Sequence, residues 1–272
     1  MAFESADRVQ DEQGRQYHIG LGPGDVAPWV VLVGDPARVD LAAAQLDVVG
    51  PRVANREFVS VTGKKGPLDV TILSTGIGCD NTEIAVVELL NCRRDLTLIR
   101  AGSCGALQPG IGLSDLIVST GAVRLESTSL AFVDEGYPAI AHHEAILALT
   151  TAASRAGVPF HVGITAAASG FYGWQGRKGQ IIEPKDPEIA ERLAKQQVVN
   201  FEMETSTLFT LASLAKIRAG CVCTVFANRP EGVFIDPQHK DAAQTKAVGC
   251  ALDAIAILAE MDASARPYVL QG

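Results

Sequence analysis

The chain has 272 residues, of which 47% are hydrophobic and 20% charged, a balance that favours a folded protein with a sizeable buried core. Its formal net charge of -8 provides no bulk field to recruit nucleic acid, so an anionic ligand would need a local cluster of arginines. No run is apolar over the ~18 residues that a membrane helix needs, and residues 1–16 are polar and acid-bearing, unlike a signal or transit peptide, so a cytoplasmic location is expected.

In chain order, Trp29 to Val33 reads as a short buried strand that ends in Gly34-Asp35-Pro36. Asp35 is placed to cap a following helix with Pro36 at its first position. Leu68 to Leu73 is a second strand, followed by Ser74-Thr75-Gly76-Ile77-Gly78. Asp80-Asn81-Thr82-Glu83 then resembles a capping box that opens a helix from Glu83 to Cys92. Leu96 to Ile99 returns as a strand and runs into the loop Arg100-Ala101-Gly102-Ser103-Cys104-Gly105-Ala106. This strand–helix–strand unit predicts parallel pairing. Leu116 to Ser119, His161 to Thr165 and Cys221 to Ala227 read as further strands. Ile140 to Ala156, Met203 to Ala215 and Lys240 to Met261 read as helices. The alternation predicts one α/β domain, with ligand-binding loops at the carboxyl ends of its strands.

The six cysteines give no disulfide framework in a chain of this length, and Cys221-Val222-Cys223 lacks a second pair at metal spacing. They read as small buried thiols. Four segments carry candidate chemistry. Gly34 to Arg38 offers a glycine, a helix start and a cation, which suits an anion; an ordinary capped turn fits as well. Arg100 follows an apolar strand directly, and a buried guanidinium needs an anion or an acid beside it. Ser103 adds a hydroxyl, and the segment has neither the lysine nor the spacing of a Walker motif. Cys104 as a nucleophile is disfavoured, because no histidine can be assigned to it.

Glu202 and Glu204 share a face if their segment is extended. They suit sugar hydroxyls, a two-carboxylate hydrolase, a metal, or the acidic first turn of a helix. Phe171-Tyr172-Gly173-Trp174-Gln175-Gly176-Arg177 places an aromatic ring, an amide and a guanidinium in one turn-rich stretch. Uracil offers carbonyl acceptors and one N–H, which Gln175 and Arg177 can match; a surface loop with a packed aromatic is the other reading.

Taken in order, these segments resemble the uridine phosphorylase branch of the nucleoside phosphorylase family. The motifs are Tyr17-His18, Gly34 to Arg38, Arg56-Glu57-Phe58, Ser74 to Gly78, Arg100 to Ala106, Phe171 to Arg177, Phe201 to Glu204 and Asn228-Arg229. The resemblance implies a single-domain, three-layer α/β/α fold with a mixed, largely parallel sheet. The domain would span 17–262, between a polar arm (1–16) and a C-terminal tail (263–272). It implies phosphorolysis of uridine to uracil and ribose 1-phosphate, with inorganic phosphate as co-substrate and no other cofactor. Other nucleosides, a hydrolytic nucleosidase and a non-catalytic nucleoside-binding protein are the alternatives.

By resemblance, Gly34, Arg38, Arg100 and Ser103 would hold phosphate, joined by Arg56 from a neighbouring subunit. Met203 and Glu204 would hold the ribose, with His18 reaching its 5′-hydroxyl across the subunit boundary. Phe171, Gln175 and Arg177 would enclose the base, with Glu202 lining the pocket and Arg229 behind it. The catalytic weight would fall on Arg100, Glu204 and Arg177. Shared sites imply a homo-oligomer, built from dimers and usually a hexamer in this branch. Some relatives bind a monovalent cation between subunits through a glutamate and a serine; Glu57 matches the first, and Asn81 stands at the second. Purine-cleaving relatives have an aspartic acid where this chain has Asn228, which disfavours purines. Trp174 replaces a small residue beside the base. Neither nucleic acid nor membrane is expected as a partner.

Overall fold

The structure, a computed structural model, describes residues 5–264. The expected tail therefore lies almost wholly outside the described residues. In chain order the elements are β1 (Trp29–Val33), α1 (Ala37–Ala43), β2 (Val48–Asn55), β3 (Phe58–Lys65), β4 (Leu68–Ser74), α2 (Cys79–Cys92), β5 (Thr97–Ala106), β6 (Leu116–Leu125), β7 (Ala139–Ile140), α3 (His143–Arg155), β8 (Phe160–Ala168), α4 (Ile189–Lys195), β9 (Val198–Glu202), α5 (Thr205–Ala215), β10 (Arg218–Asn228), β11 (Val233–Phe234) and α6 (Lys240–Ala263).

The apolar runs made the expected strands, and β4, β1, β5 and β10 lie side by side and parallel. β4 and β5 are parallel as predicted, but β1 lies between them. The antiparallel pair β2–β3 extends the sheet beyond β4. On the other side the sheet curls. β5 pairs with β9, β9 with β8, β8 with β6, β6 with β10, and β10 again with β5. Five strands thus form a closed ring with no free edge among them.

Two apolar cores flank the sheet. On one face α1, α3 and α6 bury Val39, Leu149, Val248 and Ile255 against the strands. On the other, α2 and α5 bury Val86, Leu89, Leu208 and Phe209. This is the expected three-layer α/β/α arrangement. Contrary to the expectation that no run is apolar enough for a membrane helix, the stretch Pro237–Ala263, which contains α6, meets that measure by length and composition. Its apolar side chains, among them Leu252, Ile257 and Leu258, are instead buried in the first core.

Three local expectations are corrected. The segment Arg100 to Ala106 continues β5 instead of forming a loop, because β10 pairs with it as far as Ala106, with one register shift between Val225 and Ala227. The capping box at Asp80 to Glu83 does not form. α2 begins at Cys79, after Gly78 at φ 97°, a conformation that favours glycine. Glu202 ends β9 and Glu204 immediately precedes α5, so the two acids straddle a strand–helix junction.

Candidate active site

The carboxyl ends of β1 and β5 bring two arginines together. After β1, Asp35 Oδ1 accepts the N–H of Ala37 at 2.9 Å and caps α1, as expected. Gly34 lies against the Gly76 carbonyl, where a Cβ would come to 3.4 Å. Arg38 then turns inward. It is buried, and its Nη1 donates to the Ala101 carbonyl at 3.3 Å. Burial, and next to it the charge of Arg100, pulls its pKa below the ordinary value. Arg100 is only 4% exposed. Burial opposes its charge, but Glu204 and then Glu202 more than offset that and hold it firmly protonated. Close by, a Cβ on Gly102 would meet Arg100 Nη2 at 3.1 Å, so only glycine leaves the guanidinium its place.

The acids meeting Arg100 come from the β9–α5 junction. Glu202 Oε2 lies 3.4 Å from Arg100 Nε, and Glu204 Oε2 accepts from Arg100 Nη2. Glu202 also accepts the N–H groups of Glu204 and Thr205 at 2.9 and 3.0 Å, which puts a carboxylate at the start of α5, where the dipole favours it. Its pKa is raised, first by burial and then by the charge of Glu204. Glu204 Oε1 accepts the N–H of Gly78 at 2.8 Å. The Ser74-to-Gly78 motif thus anchors a carboxylate contributed by a segment far away in sequence. Two acids and two arginines nearly cancel in charge, yet Arg38 Nε and Arg100 Nη1 have no hydrogen-bond partner among the described residues. Buried donors in that state favour an incoming anion.

The second cluster is the stretch from Phe171 to Arg177, between β8 and α4. The Arg177 guanidinium stacks 3.7 Å above the Phe171 ring, and its Nε donates to the Phe171 carbonyl at 3.1 Å. Its Nη2 donates to Gln175 Oε1 at 3.3 Å. Burial, then the charge of Arg229, pushes the Arg177 pKa down to about 10. Arg229 itself donates to the carbonyls of Gln175 and Gly176 at 3.1 and 3.4 Å.

Both clusters open into one cavity of about 610 Å³. Of the expected residues, Gly34, Arg38, Arg100, Ser103, Phe171, Gln175, Arg177, Glu202, Met203 and Glu204 line it. So do Glu57 and Asn81, joined by a hydrogen bond from Asn81 Nδ2 to Glu57 Oε1 at 3.3 Å. Arg229 stands behind the loop and braces it. His18 and Arg56 lie outside the cavity of their own chain: His18 contacts Glu88, and Arg56 stacks on the Tyr17 ring at 4.7 Å. The sequence reading did not single out Phe226 and Phe234, which also line the cavity. Their only signal is an aromatic on each side of the Asn228-Arg229 motif. Cys104 lines the cavity, but no histidine among the described residues does.

The profile of the phosphorylase superfamily matches residues 28–259. The chain belongs to this superfamily. It is similar to the uridine phosphorylase of Thermococcus kodakarensis, at 46% identity over 264 residues that cover 96% of this chain and 92% of the relative. It is also similar to a guanosine phosphorylase of Halorubrum lacusprofundi, at 34% identity, covering 80% of this chain and 86% of that one. Among solved structures, a uridine phosphorylase from Vibrio fischeri matches with a TM-score of 0.79 at 28% identity, covering 90% of this chain and 98% of that one.

Within this phosphorylase, two residues sit differently from expectation. Asn228 does not face the cavity. Its Nδ2 donates to the carbonyls of Gln108 and Ile111 at 3.1 and 2.9 Å, and its Oδ1 accepts from the N–H of Glu231 at 3.1 Å. With three backbone bonds, it braces two loops instead of facing a base. Trp174 is half exposed and packs beside Gly170, outside the cavity lining.

Proposed function

We propose that this phosphorylase cleaves uridine with inorganic phosphate, giving uracil and ribose 1-phosphate. One observation carries the reading: a single cavity joins a buried arginine pair with unsatisfied donors to an aromatic–amide–guanidinium cluster, with Glu204 beside the arginines. The arginines suit an anion, the cluster suits a planar base with carbonyls, and Glu204 suits sugar hydroxyls. The close uridine-phosphorolysing relative supports the same choice.

In this reading phosphate lies among Gly34, Arg38, Arg100 and Ser103. Met203 and Glu204 hold the ribose, while Phe171, Gln175 and Arg177 hold the uracil. The C1′–N1 bond breaks with its electron pair leaving on uracil, and a phosphate oxygen bonds to C1′. The proton of hydrogen phosphate ends on the base. Arg38 and Arg100 hold the nucleophile against the cationic ribose, and Arg177 and Gln175 donate to the departing uracil. Both effects are electrostatic preorganisation. Phosphate is the only co-substrate, and no redox cofactor or catalytic metal takes part. Arg56 and His18, which lie outside their own cavity, complete the site of a second copy of the chain. The working unit is therefore a dimer, assembled into a hexamer. Pyrimidine salvage in the cytoplasm is the physiological setting.

The test is turnover of uridine with and without phosphate. Release of uracil that depends on phosphate is expected, and equal release in its absence would exclude phosphorolysis. The guanosine phosphorylase relative favours a second reading, a purine nucleoside substrate, against which Asn228, outside the cavity, no longer argues. A nucleoside panel with phosphate present separates the two.

A further inference from the structure

His18 is held by one buried acid. Glu88, on α2, has a side chain 10% exposed, against 30% for His18. Glu88 Oε2 accepts the backbone N–H of Ile19 at 2.8 Å, and its two oxygens share the N–H of His18 at 3.2 and 3.1 Å. Both oxygens act as acceptors, so the 2.7 Å contact between Oε1 and the imidazole is donated by Nδ1–H. In the tautomer that carries its proton on Nδ1, Nε2 is the bare nitrogen, and among the described residues no hydrogen bond reaches it. Asn55, at the end of β2, clamps the same segment, with Nδ2 donating to the carbonyls of Tyr17 and His18 at 2.8 Å each. Glu88 and Asn55 together fix the path of the backbone, and Glu88 alone meets the ring at Nδ1.

We infer that Glu88 is a positioning residue: it presents His18 Nε2 as an acceptor for the ribose 5′-hydroxyl of a nucleoside bound to a second copy of this chain. The inference rests on the cross-subunit role of His18 proposed above. A glutamine at 88 keeps the volume and an acceptor for the backbone amides, but it can turn an NH₂ toward Nδ1 and so reverse the tautomer.

The experiment compares His18→Ala, Glu88→Gln and the double variant on uridine and on 5′-deoxyuridine, with saturating phosphate. His18→Ala should cut the preference for uridine about fivefold, roughly the worth of one hydrogen bond. Glu88→Gln should cut it in the same direction by roughly two- to fivefold, through KM with kcat retained. Any loss on 5′-deoxyuridine, which lacks that hydroxyl, should be smaller than the loss on uridine, and the preference of the double variant should fall no further than that of His18→Ala alone. If His18→Ala leaves the preference intact, the cross-subunit reading fails and the inference with it. If His18→Ala lowers it but Glu88→Gln does not, only the positioning role is lost. Should Glu88→Gln not fold, nitrogen chemical shifts of His18 in the unaltered protein decide: protonated Nδ1 with bare Nε2 supports the assignment, and the opposite tautomer or a doubly protonated ring overturns it.

Discussion

The two walls of the cavity are built in opposite ways. The Arg38–Arg100 wall is made from strand ends and a strand–helix junction; its charged side chains are buried, Arg100 is paired with Glu202 and Glu204, and Arg38 is bonded to the Ala101 carbonyl. The Phe171–Arg177 wall is a loop. Phe171 is 42% exposed and Trp174 53% exposed, and much of the loop's bracing is a stacked guanidinium and two bonds from Arg229. A site that handles an invariant anion and a varied base gains from that division, since the anion needs a fixed field and the base an adaptable surround.

Substitutions should break the first wall harder than the second. The largest effect is expected for Arg100→Ala. It removes a cation for phosphate and leaves Glu202 and Glu204 buried without their partner, so stability should fall by about 3–5 kcal/mol. Denaturant unfolding measures this, and phosphate saturation should require far higher concentrations. Unchanged phosphate saturation would place the anion elsewhere. Gly102→Ala should come next. Its Cβ would meet Cys223 Sγ at 2.8 Å as well as Arg100 Nη2, at a cost of about 1–3 kcal/mol. The KM for phosphate should rise more than the KM for uridine; equal rises would show that Gly102 does not act through the guanidinium.

Arg177→Ala tests the second wall. It should cost at most about 1 kcal/mol of stability, because the stack is half exposed. Its kcat/KM for uridine should fall about tenfold, the worth of one charge-assisted hydrogen bond, and much less for a purine nucleoside. Equal losses on both would remove Arg177 from base recognition. The smallest effect belongs to Trp174→Ala, which should leave the KM for uridine within about twofold, since surface side chains away from such features rarely exceed ±0.5 kcal/mol. A larger rise would mean that the loop closes over the base when substrate binds.

The parallel centre of the fold was legible because β1, β4 and β10 are apolar runs between turn residues, buried on both faces. The β2–β3 pair was not, because β2 is mostly exposed and its apolar run is interrupted by Gly50 and Pro51. The extension of β5 past Arg100 was hidden by Gly102 and Gly105, which read as a loop until β10 supplies the pairing. Local sequence identified each candidate side chain at the site but not its partner. Arg100 and Glu204 meet across 104 residues of chain, and nothing near either one announces the other. Asn228 failed for a related reason. Its polar side chain satisfies backbone groups of loops that only the folded chain brings near.

The ring of five strands bears on how the protein is made. β10 is its last member in sequence and closes it by pairing with both β5 and β6. A ribosome must therefore synthesise the chain past Asn228 before that closure is possible. Until then β5 and β6 each expose an edge open to the wrong partner. The guanidinium on β5 and its two carboxylates at the β9–α5 junction would reach their final burial only when β10 arrives.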